Sequence, residues 1–129
     1  MTRIHSLDLS TMDVIVKLAG GNPGAAIVLT NILKETASID PDNVMGGIGA
    51  VLFLDTLEIY EEKIWMLYKY VCGSSTVKTI AALRAVQLGL KSRHQLLAAI
   101  DGKAEAFNAD EALKLVKERL PDFAKQEAA

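Results

Sequence analysis

STVKTIAALRAVQLGLKSRHQLLAAIDG, Ser75–Gly102, decides the fold class. A serine stands before each of two runs rich in apolar residues, and a glycine stands after each. A serine side chain satisfies the free N–H groups of a first helical turn, and glycine accepts the left-handed backbone that ends a last one. The stretch therefore predicts one helix over Thr76–Leu88, closed by Gly89, and another from Ser92 to Ile100, closed by Gly102.

The same punctuation runs outward in both directions. Ser10 with Asp13 forms a capping pair that starts a helix through Val14, Ile15 and Leu18, and Gly20-Gly21 stops it. Asn22-Pro23 is a cap followed by proline at the first helical position, opening a helix that ends near Ser38. Asp40-Pro41 repeats that signal for a third helix through Val44, Ile48, Val51, Leu52 and Ile59, with a break near Tyr60. A fourth covers Glu61–Val71 and stops at Gly73. Asn108 caps the last, Ala109–Leu120, ended by Pro121. Val14–Val16 and Ala25–Leu29 are apolar enough for short buried strands, but helix caps flank both, and no segment alternates for long. The expectation is an all-α fold: a compact single-domain bundle of six or seven short helices over 1–129, with 1–9 and 122–129 as frayed tails. The helix from Val44 is apolar nearly all round and should be central. Gly46, Gly47 and Gly49 in its first turns imply that another backbone approaches closely, from this chain or from a second subunit.

Composition agrees with a self-sufficient globular fold. The chain has 129 residues, of which 50% are hydrophobic and 23% charged. That length buries a sizeable core without disulfides or metals. Cys72 is the single cysteine, so no disulfide forms within the chain, and C-x-x-C metal and redox motifs are missing. Residues 1–10 carry Arg3, His5 and Asp8 with no apolar run, unlike a signal peptide. The most apolar uncharged run, Asn43–Leu54, has 12 residues, against the ~20 a membrane-spanning helix needs. A soluble protein of a reducing cytoplasm is expected, with no membrane partner.

Net charge is −2, but it is segregated. Residues 1–62 hold nine acidic and three basic side chains. Residues 63–100 hold six basic ones and no acidic one: Lys63, Lys69, Lys78, Arg84, Lys91 and Arg93, with His94 beside them. Either these cations pair with acidic helices of the same fold, or they form a positive concavity for an anion. Helical phase separates them. Arg84 falls among Val77, Ile80, Ala81 and Leu88, inside an apolar stripe, whereas Lys78 and Thr79 point elsewhere. A buried arginine needs an acidic partner, an exposed tip or an anionic ligand. Asp55 lies on the apolar side of the third helix, so an Asp55–Arg84 core ion pair is one expectation. The other is an anion site in which Arg84 is a bidentate clamp. Lys69, Lys78 and Arg93 would supply a positive field, and Tyr68 a stacking platform. The loop Gly73-Ser74-Ser75-Thr76 would offer backbone N–H groups at a helix start.

Catalytic signals are weak. Cys72 near a helix start with His94 could suggest a thiolate, but no motif supports the pair. His5 and His94 have no metal-ligand spacing with carboxylates. Glu58, Glu61 and Glu62 read as a solvated face. A non-enzyme without cofactor or metal is expected. Residues 79–100 partly resemble a helix-turn-helix, with Lys91, Arg93 and His94 as DNA contacts, although Arg84 stands where that motif wants an apolar residue.

Gly21-Asn22-Pro23-Gly24-Ala25, Ile64-Trp65-Met66-Leu67-Tyr68-Lys69 running into Val71-Cys72-Gly73, and Leu83-Arg84-Ala85-Val86-Gln87-Leu88-Gly89 together resemble a group of small helical proteins encoded in phages and prophages. No activity is established for that group, so no functional residue is carried over. The resemblance implies a host cytoplasm. The functional expectation is a non-catalytic, homo-oligomeric binding protein whose partner is anionic, a nucleotide-like small molecule or an acidic host protein surface. Helix-turn-helix DNA binding and a purely structural interaction module, with the Asp55–Arg84 pair in its core, are the alternatives.

Overall fold

Ser75, Ser92 and Asn108 each cap a helix with the side chain, accepting from Lys78 N at 3.1 Å, from His94 N at 3.1 Å and from Glu111 N at 2.9 Å. The computed structural model describes residues 9–39, 48–120 and 123. Among them the fold is all-α: α1 (Leu9–Ala19), α2 (Pro23–Ile39), α3 (Ile48–Thr56), α4 (Glu61–Met66), α5 (Thr76–Gln87), α6 (Arg93–Ile100) and α7 (Ala109–Arg119). A π-helical turn, Leu67–Val71, follows α4, and a 3-10 turn, Ala104–Ala106, follows α6. The chain gathers into two compact units, Met1–Trp65 and Met66–Ala129.

In the first unit α1 and α2 form a hairpin. Gly20 and Gly21 take positive φ, and Asn22 N donates to Ala19 O at 2.8 Å across the turn. The Asn22 side chain then accepts from Ala25 N at 3.1 Å, with Pro23 opening α2. Leu18, Val28, Leu29, Ile32, Val51 and Leu54 are buried at the centre of this unit. The Asp40-Pro41 cap, Val44, Gly46 and Gly47 lie outside the described residues. The helix beyond them, α3, is apolar as expected, but Leu52 is 45% exposed. α3 also stops three residues before Ile59. Glu58 takes a left-handed φ of 58°, and Ile59 N reaches back to Leu54 O at 3.0 Å. This is a glycine-type helix ending made with a glutamate.

In the second unit α5 packs mainly on α7, and α6 on the 3-10 turn. Thr79–Ala85 is buried at every position. Three alanines in that run, Ala81, Ala82 and Ala85, let neighbours approach on all sides. α7 presents Ala109, Ala112, Leu113 and Val116, one stripe at helical spacing. Its carboxylates Asp110 and Glu111 sit in the first turn and Lys117 and Arg119 in the last, complementing the helix dipole at both ends.

Glu58 gives a simple check. A side chain at left-handed φ costs about 1 kcal/mol relative to glycine. Glu58→Gly should therefore raise unfolding free energy by about 1 kcal/mol, and Glu58→Ala should give no such gain, in urea titrations followed by circular dichroism.

Candidate functional site

Arg84 lies where its helical phase puts it, and it is 2% exposed. Its Nη1 donates to Oε1 of Gln87, one turn on, at 2.6 Å. The exposed tip is therefore corrected. Asp55 has partners within its own unit. The cation on Asp55 is Lys17 of α1, with Nζ–Oδ1 of 3.2 Å, and the Tyr60 hydroxyl donates to the same oxygen at 3.0 Å. Asp55 is only half-buried because α3 ends one residue later and turns it to the edge of the unit.

The other cations of 63–100 divide. Lys78 forms an ion pair with Asp110 at 2.7 Å, and Lys91 with Glu111. Both carboxylates belong to the first turn of α7, so α7 neutralises two cations beside the helix on which it packs. Lys69 is exposed on the π-helical turn, and Arg93 and His94 are exposed at the start of α6. Tyr68 is half-buried. The expected constellation is thus not one pocket.

The second unit does contain a cleft of about 570 Å³ between the Tyr70–Gly73 turn, Lys78 and the segment leading into α7. Of the expected site residues, Gly73 and Lys78 line it; Arg84, Lys69, Arg93, Tyr68, Ser74, Ser75 and Thr76 do not. Outside that set, Tyr70, Glu105, Asn108 and Asp110 line it. The π-helical turn delivers Tyr70. Cys72 N donates to Leu67 O at 3.0 Å, five residues back, and Ser74 N to Tyr68 O at 2.7 Å. One residue is thereby looped out relative to an α-helix, and Tyr70 stands 70% exposed. Gly73 and Ser74 both take left-handed φ to bring the chain round to the Ser75 cap. Only the glycine announces that turn in the sequence.

Cys72 is buried beside this cleft, and burial pushes its thiol up to about 11, outweighing a hydrogen bond with Thr79 and the Lys78 charge. A thiolate nucleophile is therefore not prepared there at neutral pH. No three His, Cys, Asp or Glu side chains cluster as a metal site among the described residues, and no helix among them is long and apolar enough to cross a membrane.

Comparison with family models, with characterised proteins and with solved structures finds no match for the chain.

The Lys17–Asp55–Tyr60 cluster has a pH signature. The Tyr60 hydroxyl, and after it Lys17, holds the Asp55 carboxyl below its ordinary value of 3.8. A lowered carboxylate pKa adds stability above the unfolded value and loses it as pH falls through the folded one. Stability of the wild type should therefore drop on acidification below pH 3.8, and Asp55→Asn should flatten that part of the profile in thermal melts across the acid range.

Proposed function

We propose that this chain is a non-catalytic binding protein of the phage-encoded type its sequence resembles, acting in a host cytoplasm, and that the cleft of its second unit takes a ligand with a flat ring and an anionic end. The observation that carries this reading is the presence of Tyr70, 70% exposed, and Lys78 on the walls of one cleft. An exposed ring offers a stacking face and a lysine offers a point charge to phosphate or carboxylate. The volume of about 570 Å³ suits a nucleotide-sized molecule. The starts of α5 and α7 border the same cleft through Lys78, Asn108 and Ala109. Asp110 opposes this reading as an internal competitor, since its carboxylate already holds Lys78. Binding then exchanges one anion for another, and the affinity is set by what Tyr70 adds.

A second reading, DNA binding through α5 and α6, is favoured by the side-by-side exposure of Arg93, His94 and Gln95 at the start of α6. Retention on duplex DNA that falls steeply between low and physiological salt would select it.

A nucleoside monophosphate and inorganic phosphate are the probes for the cleft, read by thermal shift. The nucleotide should raise the melting temperature more than phosphate does. Lys78→Ala should abolish both shifts, and Tyr70→Ala should reduce the nucleotide shift to that of phosphate. Asp110→Asn should enlarge both, because it releases Lys78. All three side chains are partly or largely exposed, so the variants should fold. No shift in the wild type and none in Asp110→Asn would refute the reading.

A further inference from the structure

The first unit carries a different surface. Ile15, Val16 and Ala19 of α1, with Pro23 and Ala26 of α2, line a groove of about 280 Å³ at the hairpin corner. Its lining is apolar apart from Asn22 of the turn. Val16 on its wall is 65% exposed, and Ile27, next along α2, is 61% exposed. Large aliphatic side chains left open beside an apolar groove mark a place where another chain docks. The groove sits at the corner of a helical hairpin, and with Ile27 beside it offers places for apolar anchors at i and i+3 or i+4 of a docked helix.

Charge says which helix. Asp13 precedes Val16 by three residues, so it shares the exposed side of α1. At the other end, the Glu61 carboxylate lies over Gly20, filling the place a Cβ would take. The lysine between them, Lys17, is engaged by Asp55 and sits 5.8 Å from the centre of the Tyr60 ring. The rim is acidic, and so is the unit: residues 1–65 hold nine carboxylates against Arg3, Lys17, Lys34 and Lys63, a balance of −5. A second copy of this surface would bring like charge to like, and an anionic membrane would be repelled in the same way.

We propose that the α1–α2 groove is a docking site for the apolar face of a basic amphipathic helix of a partner protein. Val16 and Ile27 grip its aliphatic side chains, and Asp13 and Glu61 meet the lysines or arginines that flank them. This site is independent of the ligand cleft in the second unit.

The probe is a synthetic leucine–lysine peptide of about four helical turns with its leucines on one face. A leucine–glutamate twin of the same pattern and a leucine–lysine scramble serve as controls. Binding to the full chain is followed by fluorescence anisotropy and by backbone amide NMR shifts. The leucine–lysine helix should bind and move the amides of Val16, Ala19 and Ala26, while neither control binds. Val16→Ser leaves the charge unchanged at an exposed position, and it should weaken binding about tenfold, the equivalent of ~1.4 kcal/mol. Asp13→Asn should weaken it at low salt and less at high salt. Equal binding of the scramble or of the glutamate twin overturns the proposal. So does a failure of all three peptides to bind, a set of shifts confined to the second unit, or a dimer that Val16→Ser abolishes. The last result would give the groove to a second copy.

Discussion

The second unit is organised by one constraint: a permanently charged side chain enclosed in a helix that is buried at seven consecutive positions. Thr79–Ala85 is buried residue by residue, and Arg84 is the bulkiest side chain in that run. A guanidinium taken from water needs hydrogen-bond acceptors around it, or its burial costs several kcal/mol. Gln87, one turn on in the same helix, supplies one of them at 2.6 Å. The alanines around Arg84 make room for its length, and α7 closes over α5 with a stripe of small and branched residues. The same packing brings the first turn of α7 to the basic side of the unit. Asp110 and Glu111 then do two things: they complement the start of their own helix and they neutralise Lys78 and Lys91. The positive segment seen in the sequence is largely answered from within.

Local chemistry and long-range packing left different marks on the sequence. The caps at Asn22, Ser75, Ser92 and Asn108, and the stops at Gly20, Gly89 and Gly102, are interactions among residues close in sequence, and each is legible there. The burial of Arg84 is legible too, because helical phase is local. Its acceptors are less so: charge points to a carboxylate, and the amide of Gln87, three residues away, takes one of the bonds. Asp55 is half-buried for a related reason. Its phase puts it on an apolar face only while α3 continues, and Glu58 ends the helix in a conformation that its residue type does not advertise.

The candidate cleft is the least legible part. Gly73 and Lys78 stand out because a helix start followed by a cation has a sequence signal. Tyr70 does not, since an α-helix drawn through Glu61–Val71 has a different phase from one that widens to a π-helical turn after Met66. Glu105 and Asp110 come from far along the chain, and only packing brings them to the wall. The groove on the first unit has a partial signal: Val16 and Ile27 are apolar residues one position away from buried Ile15 and Val28, too many for one core-facing stripe.

Arg84 is packed into the core, and Lys78 lines the cleft proposed to take a ligand. Chemical denaturation of Arg84→Ala and Lys78→Ala, side by side and without ligand, tests that division most directly. Arg84→Ala should lose about 3 kcal/mol, through the cavity it leaves and the buried acceptors it strands, while Lys78→Ala should stay within about 1 kcal/mol of wild type. An Arg84→Ala protein as stable as the wild type would contradict it, because the guanidinium would then be held in place for something other than the fold.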